Sequence, residues 1–165
     1  MKKYLVILFT SFLLPLHSFS QVIEWQNTIG GDQDDRIISI AQSSDGGFAL
    51  GGTSESNISG DKTENSNGQS DYWIVKTDSL GAIQWQNTIG GSGIDNLFSV
   101  AQTIDGGYIL GGLSLSKKSG EKSGTNRGLT DFWVVKIDAN GVKQWDSTYG
   151  GKKYDEILAL QQTTD

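Results

Sequence analysis

SDYWIVKTDSLGAIQWQNTIGG, residues 70–91, returns as TDFWVVKIDANGVKQWDSTYGG at residues 130–151. The offset is 60 residues throughout: WQNTIGG stands at 25–31 and 85–91 with WDSTYGG at 145–151, and SDGGFALGG at 44–52 becomes IDGGYILGG at 104–112. Residues 25–84 align without a gap to 85–144 with half of the positions identical, and a third copy opens at Trp145. A gapless register of this length establishes an internal repeat, and a repeat decides architecture ahead of local propensity.

Each unit carries four strand signals and no helical one. In the first they cover 36–42, 48–53, 71–78 and 82–88. Residues 71–78 are apolar on both faces, as in a strand held between layers. Residues 82–88 alternate Ile83 and Trp85 with Gln84 and Gln86, the pattern of a half-solvated outer strand. Asp45-Gly46-Gly47 and Asp105-Gly106-Gly107 read as turns between the first two strands. Ser79-Leu80-Gly81 and Ala139-Asn140-Gly141 read as hairpin turns whose Gly or Asn takes the positive φ.

Four short antiparallel strands per repeat predict an all-β, β-propeller-like chain of four-stranded blades, about two and a third repeats of an incomplete ring. Solenoid rungs run to about 20–45 residues, so a period of 60 favours the blade. The units are 32–91, 92–151 and the start of a third at 152–165. Residues 21–31 match the last strand of a unit, so they are expected to complete a neighbouring blade and remove an exposed edge. The chain stops at the Asp of the Asp-Gly-Gly turn, so a continuation with Gly-Gly and an aromatic residue is expected. Ile157, Leu158 and Leu160 would then stand in a lone edge strand.

Residues 1–20 read as a secretory signal: Lys2 and Lys3, an apolar run from Tyr4 to Leu16, then Ser18 and Ser20 before cleavage near Gln21. The run is shorter than the roughly 20 apolar residues of a spanning helix. No transmembrane segment is expected after cleavage. Without this segment Lys+Arg falls from 13 to 11 against 19 Asp+Glu, a net charge of −8. His, Cys, Pro and Met are then absent altogether. That excludes Ser-His-Asp and Cys-His nucleophiles, His- or Cys-ligated metal, and disulfides. The acidic balance argues against nucleic acid, which needs clustered Lys and Arg.

DGGYILGG, DFWVVKIDANG and the W-x-x-T-[IY]-GG ending resemble a repeat family of exported proteins from Bacteroidota-type bacteria. The resemblance spans the whole mature chain. It implies a propeller, a secreted or cell-surface location, and often a further sorting domain for type IX secretion. It is specific for the repeat and not for an activity, since a fold does not fix a function.

Trp25, Trp85, Trp145, Trp73 and Trp133 could stack on sugars. Their recurrence at fixed unit positions points instead to docking of one blade on the next. Gly46, Gly47, Gly106, Gly107, Asp71 and Asp131 are likewise structural repeat positions. Asp32, Asp34 and Asp35 form an acidic cluster that could hold calcium, but only the third acid recurs, at Asp95 and Asp155, as a turn residue would. A paired-carboxylate glycosidase site among Asp45, Asp71, Asp78 and their partners should break the repeat, and none does. Asp78-Ser79-Leu80 and Asp146-Ser147-Thr148 resemble bacterial O-glycan acceptors. Segments 55–70 and 115–130 diverge and read as surface loops, the usual seat of specificity, whose shortening should leave the fold intact. The expected function is a non-catalytic scaffold, without cofactor, that binds glycan or a surface protein through loops. The alternative is a fragment of a carbohydrate-active or quinoprotein-like enzyme whose catalytic residues lie elsewhere.

Overall fold

A computed structural model of the chain describes residues 22–163; the expected export signal at 1–20 lies outside them. Eight strands follow one another: β1 (Asp35–Gln42), β2 (Phe48–Ser54), β3 (Asp71–Thr77), β4 (Ile83–Ile89), β5 (Asp95–Gln102), β6 (Tyr108–Ser114), β7 (Asp131–Ile137) and β8 (Lys143–Tyr149). They form two four-stranded antiparallel sheets, ordered β1-β2-β3-β4 and β5-β6-β7-β8, with no helix among the described residues. The chain is therefore all-β, and its sheets fit a propeller-like arrangement.

The second sheet repeats the first in register. Gly52 faces Trp73 and Gly112 faces Trp133; Val75 faces Gln86 and Val135 faces Asp146. Both sheets also share a bulge, between Ile37 and Ser39 and between Leu97 and Ser99. Strand limits differ from the sequence reading by one residue at several ends. Asp78 leaves β3 because its carboxylate accepts from the amides of Leu80 and Ala82, both at 2.9 Å, and so closes the turn. The positive φ of the hairpins falls on Gly81 (82°) and Gly141 (84°), while Asn140 does not take it.

The core lies between the sheets. Tyr72, Ile74 and Ile89 of the first unit meet Leu97, Val100, Tyr108 and Trp133 of the second, all buried. β5 packs on β1, β2 and β3, so the backbones of the two sheets come closest where the β5 edge lies against the β1–β2 side of the first sheet. Gly51 permits that approach: a Cβ there would come within 2.7 Å of a Leu97 methyl. The Tyr72 hydroxyl donates to the Trp133 carbonyl at 3.0 Å and the two rings lie 5.0 Å apart, tying the sheets together.

One expectation about the flanks changes, that of an edge strand at Ile157, Leu158 and Leu160. Residues 22–31 form no strand among the described residues, because no sheet edge is there to pair with. They nevertheless sit against the first sheet as β4 sits against the second. Trp25 meets Phe48 at 6.0 Å as Trp85 meets Tyr108 at 5.9 Å, and Asn27 donates to Gly81 as Asn87 does to Gly141. At the other flank Ile157, Leu158 and Leu160 form no edge strand. Ile157 and Leu160 lie on Gly111 instead, and Leu160 N–H donates to Ser99 Oγ as Val100 N–H donates to Ser39 Oγ. Leu158 stays 67 % exposed. Burial against an existing face wins over a ladder with no partner.

Candidate functional site

The β2–β3 and β6–β7 loops lie at the end of the sheets opposite the Asp-Gly-Gly turns. Their sequences diverge, yet S-x-S-x-x-S-G-[DE]-K is common to 54–62 and 114–122. Three of the shared positions, Ser54, Ser56 and Lys62 with their repeats Ser114, Ser116 and Lys122, are buried. Ser56 and Ser116 are buried, and their hydroxyls donate to Asp35 and Asp95 at 2.9 and 2.8 Å. Lys62 and Lys122 are 1 % exposed, and each ammonium donates at 2.6 Å to a threonine hydroxyl, Thr88 or Thr148. They lie 6.0 and 5.4 Å over the rings of Trp73 and Trp133, and burial pulls the pKa of both amines down. A lysine reads as solvent-facing in sequence. These two were missed there, although their retention inside a divergent segment was the available signal. The loops are thus anchored by polar contacts, and the expectation that 55–70 can be shortened without consequence does not survive the geometry.

The Gly-Gly pairs are where these loops land. Gly91 N–H donates to Asp95 at 2.7 Å, and the carbonyl of Gly90 accepts from Glu121 N–H at 2.9 Å. Gly68 comes so close to Gly91 and Gly93 that a Cβ would lie 2.5 and 2.3 Å from their carbonyls. The junction at Gly90-Gly91 is therefore clasped by a loop from either unit. The exposed tips differ: Asn57 and Ile58 in one loop, Lys117 and Lys118 in the other.

Asp71 and Asp131 are fully buried at the loop ends, where they accept from the amides of Asn67 (2.5 Å) and Arg127 (2.6 Å). Their Oδ1 atoms have no hydrogen-bond partner. Burial, reinforced by the charge of Asp95, pushes the Asp71 carboxyl up to about 6. Glu121 rises to about 7, again chiefly through burial. At the opposite end Asp45 and Asp105 brace the turns. Each accepts from the second glycine, Gly47 or Gly107, and from a buried lysine, Lys76 or Lys136. The Thr103 hydroxyl and Lys136 hold Asp105 at about 2, and Lys76 lowers Asp45. Gly46 and Gly106 take φ of 84° and 81°, and a Cβ on Gly47 would meet Thr77 O at 2.1 Å.

Every repeated carboxylate thus has a repeated structural partner, which leaves the paired-carboxylate reading without geometric support. Asp35 accepts from Gly31 N–H and Ser56 while Asp34 pairs with Arg36, so the acidic cluster is divided between two tasks. Among the described residues no group of three or more His, Cys, Asp or Glu is placed to hold a metal ion. Trp73 and Trp133 sit inside the sheets, donating to Gln86 and Asp146; Trp85 bridges to Tyr108, while Trp25 and Trp145 are 38 % and 48 % exposed. Asp146 is held within β8, so of the two O-glycan-like motifs only Asp78-Ser79-Leu80 lies on an open turn. No helix of the described residues is long and apolar enough to cross a membrane. A scan against protein-family models finds no match to this chain, and a search among curated proteins finds none either.

Proposed function

We propose that the two sheets are blades of an exported, non-catalytic β-propeller scaffold that binds a protein or glycan through the tips of its β2–β3 and β6–β7 loops. The observation that carries this reading is the division within those loops. A buried frame of Ser56, Lys62, Ser116 and Lys122 is constant, while the exposed tip pairs Asn57-Ile58 and Lys117-Lys118 differ. A rigid frame that displays different side chains at equivalent points is how loop-borne recognition is built. Sheets whose backbones come closest at one edge fit a ring of blades. The signal-like segment supports a location outside the cell.

Purified chain screened on glycan arrays and on whole-cell surfaces tests the reading. A variant carrying Asn57→Ala, Ile58→Ala, Lys117→Ala and Lys118→Ala should lose binding by about tenfold or more, about 1.4 kcal/mol, with its melting temperature unchanged. Full retention of binding would remove the loops from the interface.

A further inference from the structure

At the turn-bearing end, remote from the loop tips, the junction of the two sheets opens into a cavity of about 350 Å³ lined by Ser44, Asp45, Gln84, Trp85, Gln102 and Asn140. The 60-residue offset reproduces part of its wall: Asp45, Lys76, Trp85 and Gln102 return as Asp105, Lys136, Trp145 and Gln162, while Ser44 becomes Ile104 and Gln84 and Asn140 have no counterpart in the lining. Ile104, Asp105, Lys136, Trp145 and Gln162 line a cavity of about 550 Å³ at the next junction. We propose that these cavities are carbohydrate subsites, each taking a residue of a neutral glycan chain. The inference shares its ligand class with the function proposed above and does not use the loops.

The chemistry of the walls selects the ligand. Lys76 Nζ spends its charge on Asp45 Oδ2 (2.8 Å), Gln84 Oε1 (2.9 Å) and Thr77 O (2.8 Å), so the first cavity offers dipoles and no open charge. Gln84 is exposed, and with its oxygen held by Lys76 its amide N–H groups are turned to the task of donating outward. Gln102 accepts from Ser44 N–H at 2.8 Å and makes only long contacts, 3.4 Å, through its amide nitrogen. Asn140 adds an exposed amide. Amides that both donate and accept match vicinal hydroxyls, and an anion would find no uncommitted cation. Trp85 supplies the apolar wall. Gly141 closes on its six-membered ring, where a Cβ would come within 2.8 Å, Tyr108 meets it edge-on, and the remaining indole faces the cavity. An aromatic body beside a few placed polar groups suits a sugar ring with one apolar and several polar edges. A second indole and amide in register on the next unit, Trp145 and Gln162, favour a polymer over a monosaccharide, because the second contact is intramolecular.

Affinity electrophoresis of the full chain through gels containing xylan, β-glucan or galactomannan tests this, followed by calorimetric titration with the hexasaccharide of the retarding polymer. The expected result is retardation by at least one polymer, insensitive to added salt, with intrinsic tryptophan fluorescence shifted on binding. Trp85→Ala should weaken binding about tenfold, in line with the loss of one aromatic wall. Asn140→Ala, whose side chain bonds to no protein group among the described residues, should weaken it severalfold with melting unchanged, which covers the case of a poorly folded tryptophan variant. The loop-tip variant described above should bind the polymer normally, so the two sites fail independently. No retardation by any of the three polymers, binding abolished by salt, or binding lost in the tip variant and intact in Asn140→Ala would each overturn the proposal.

Discussion

Asp71 illustrates what a single buried charge does to this chain. Its side chain is inaccessible, one carboxylate oxygen is unpartnered, and its pKa stands at about 6 against an ordinary 3.8. The folded chain therefore holds this proton more tightly than the unfolded chain does. Below about pH 4 both states are protonated and nothing is lost; as pH rises through about 6 the folded state is penalised, by up to ~3 kcal/mol at 1.36 kcal/mol per unit. Glu121, at about 7, extends the decline toward neutrality. Asp45 and Asp105, held low by Lys76 and Lys136, act the other way and lose their contribution only in more acidic solution. Thermal melting should thus be higher near pH ~5 than at pH ~8, and Asp71→Asn should remove part of the difference, the remainder belonging to Glu121. A profile that rises from pH ~5 to ~8 would show that the carboxyl is not desolvated. At this scale the sequence was legible wherever a residue type announces its task, as with the glycines and aspartates of the turns. Lys62 and Lys122 were legible only through their retention inside a divergent segment, and the placement of Trp73 and Thr88 shows why the first of them is buried.

The strands were legible from period and turn chemistry, with Ile83 and Trp85 against Gln84 and Gln86 marking β4 to within a residue at its start. The loops and flanks were not, because tertiary partners decide them. A polar, aromatic-free segment such as 55–70 looks dispensable, yet Ser56, Lys62 and Asn67 supply partners to Asp35, Thr88 and Asp71. Replacing 56–69 with a short Gly-Ser turn strips those groups at once. Each unsatisfied buried group costs about 1–3 kcal/mol, so the deletion should destabilise the chain by several kcal/mol. Urea unfolding of the deleted chain measures this directly. A midpoint equal to that of the intact chain would return the loop to the role of decoration. The flanks follow the same logic: the methyls of Ile157 and Leu160 lie against Gly111 where the pattern alone implied a free strand.

Across the whole molecule, the 60-residue period fixes one relation and repeats it. What holds Trp85 against Tyr108 also holds Trp25 against Phe48, and what places Val100 on Ser39 also places Leu160 on Ser99. A relation applied this regularly generates either a ring or a superhelix, and the period alone does not choose between them. The close approach of the β5 edge to the β1–β2 side of the first sheet argues for the ring. Under the proposed function, the differing loop tips give each unit its own recognition surface, and a turn-side cavity stands at the junction of the two sheets. An experimental structure that superposes residues 32–91 on 92–151 decides the matter. The predicted operation is a rotation about an axis beside β1 and β5 with almost no rise along it. A rise approaching the ~10 Å spacing of stacked sheets would make the chain a solenoid and contradict the blade account.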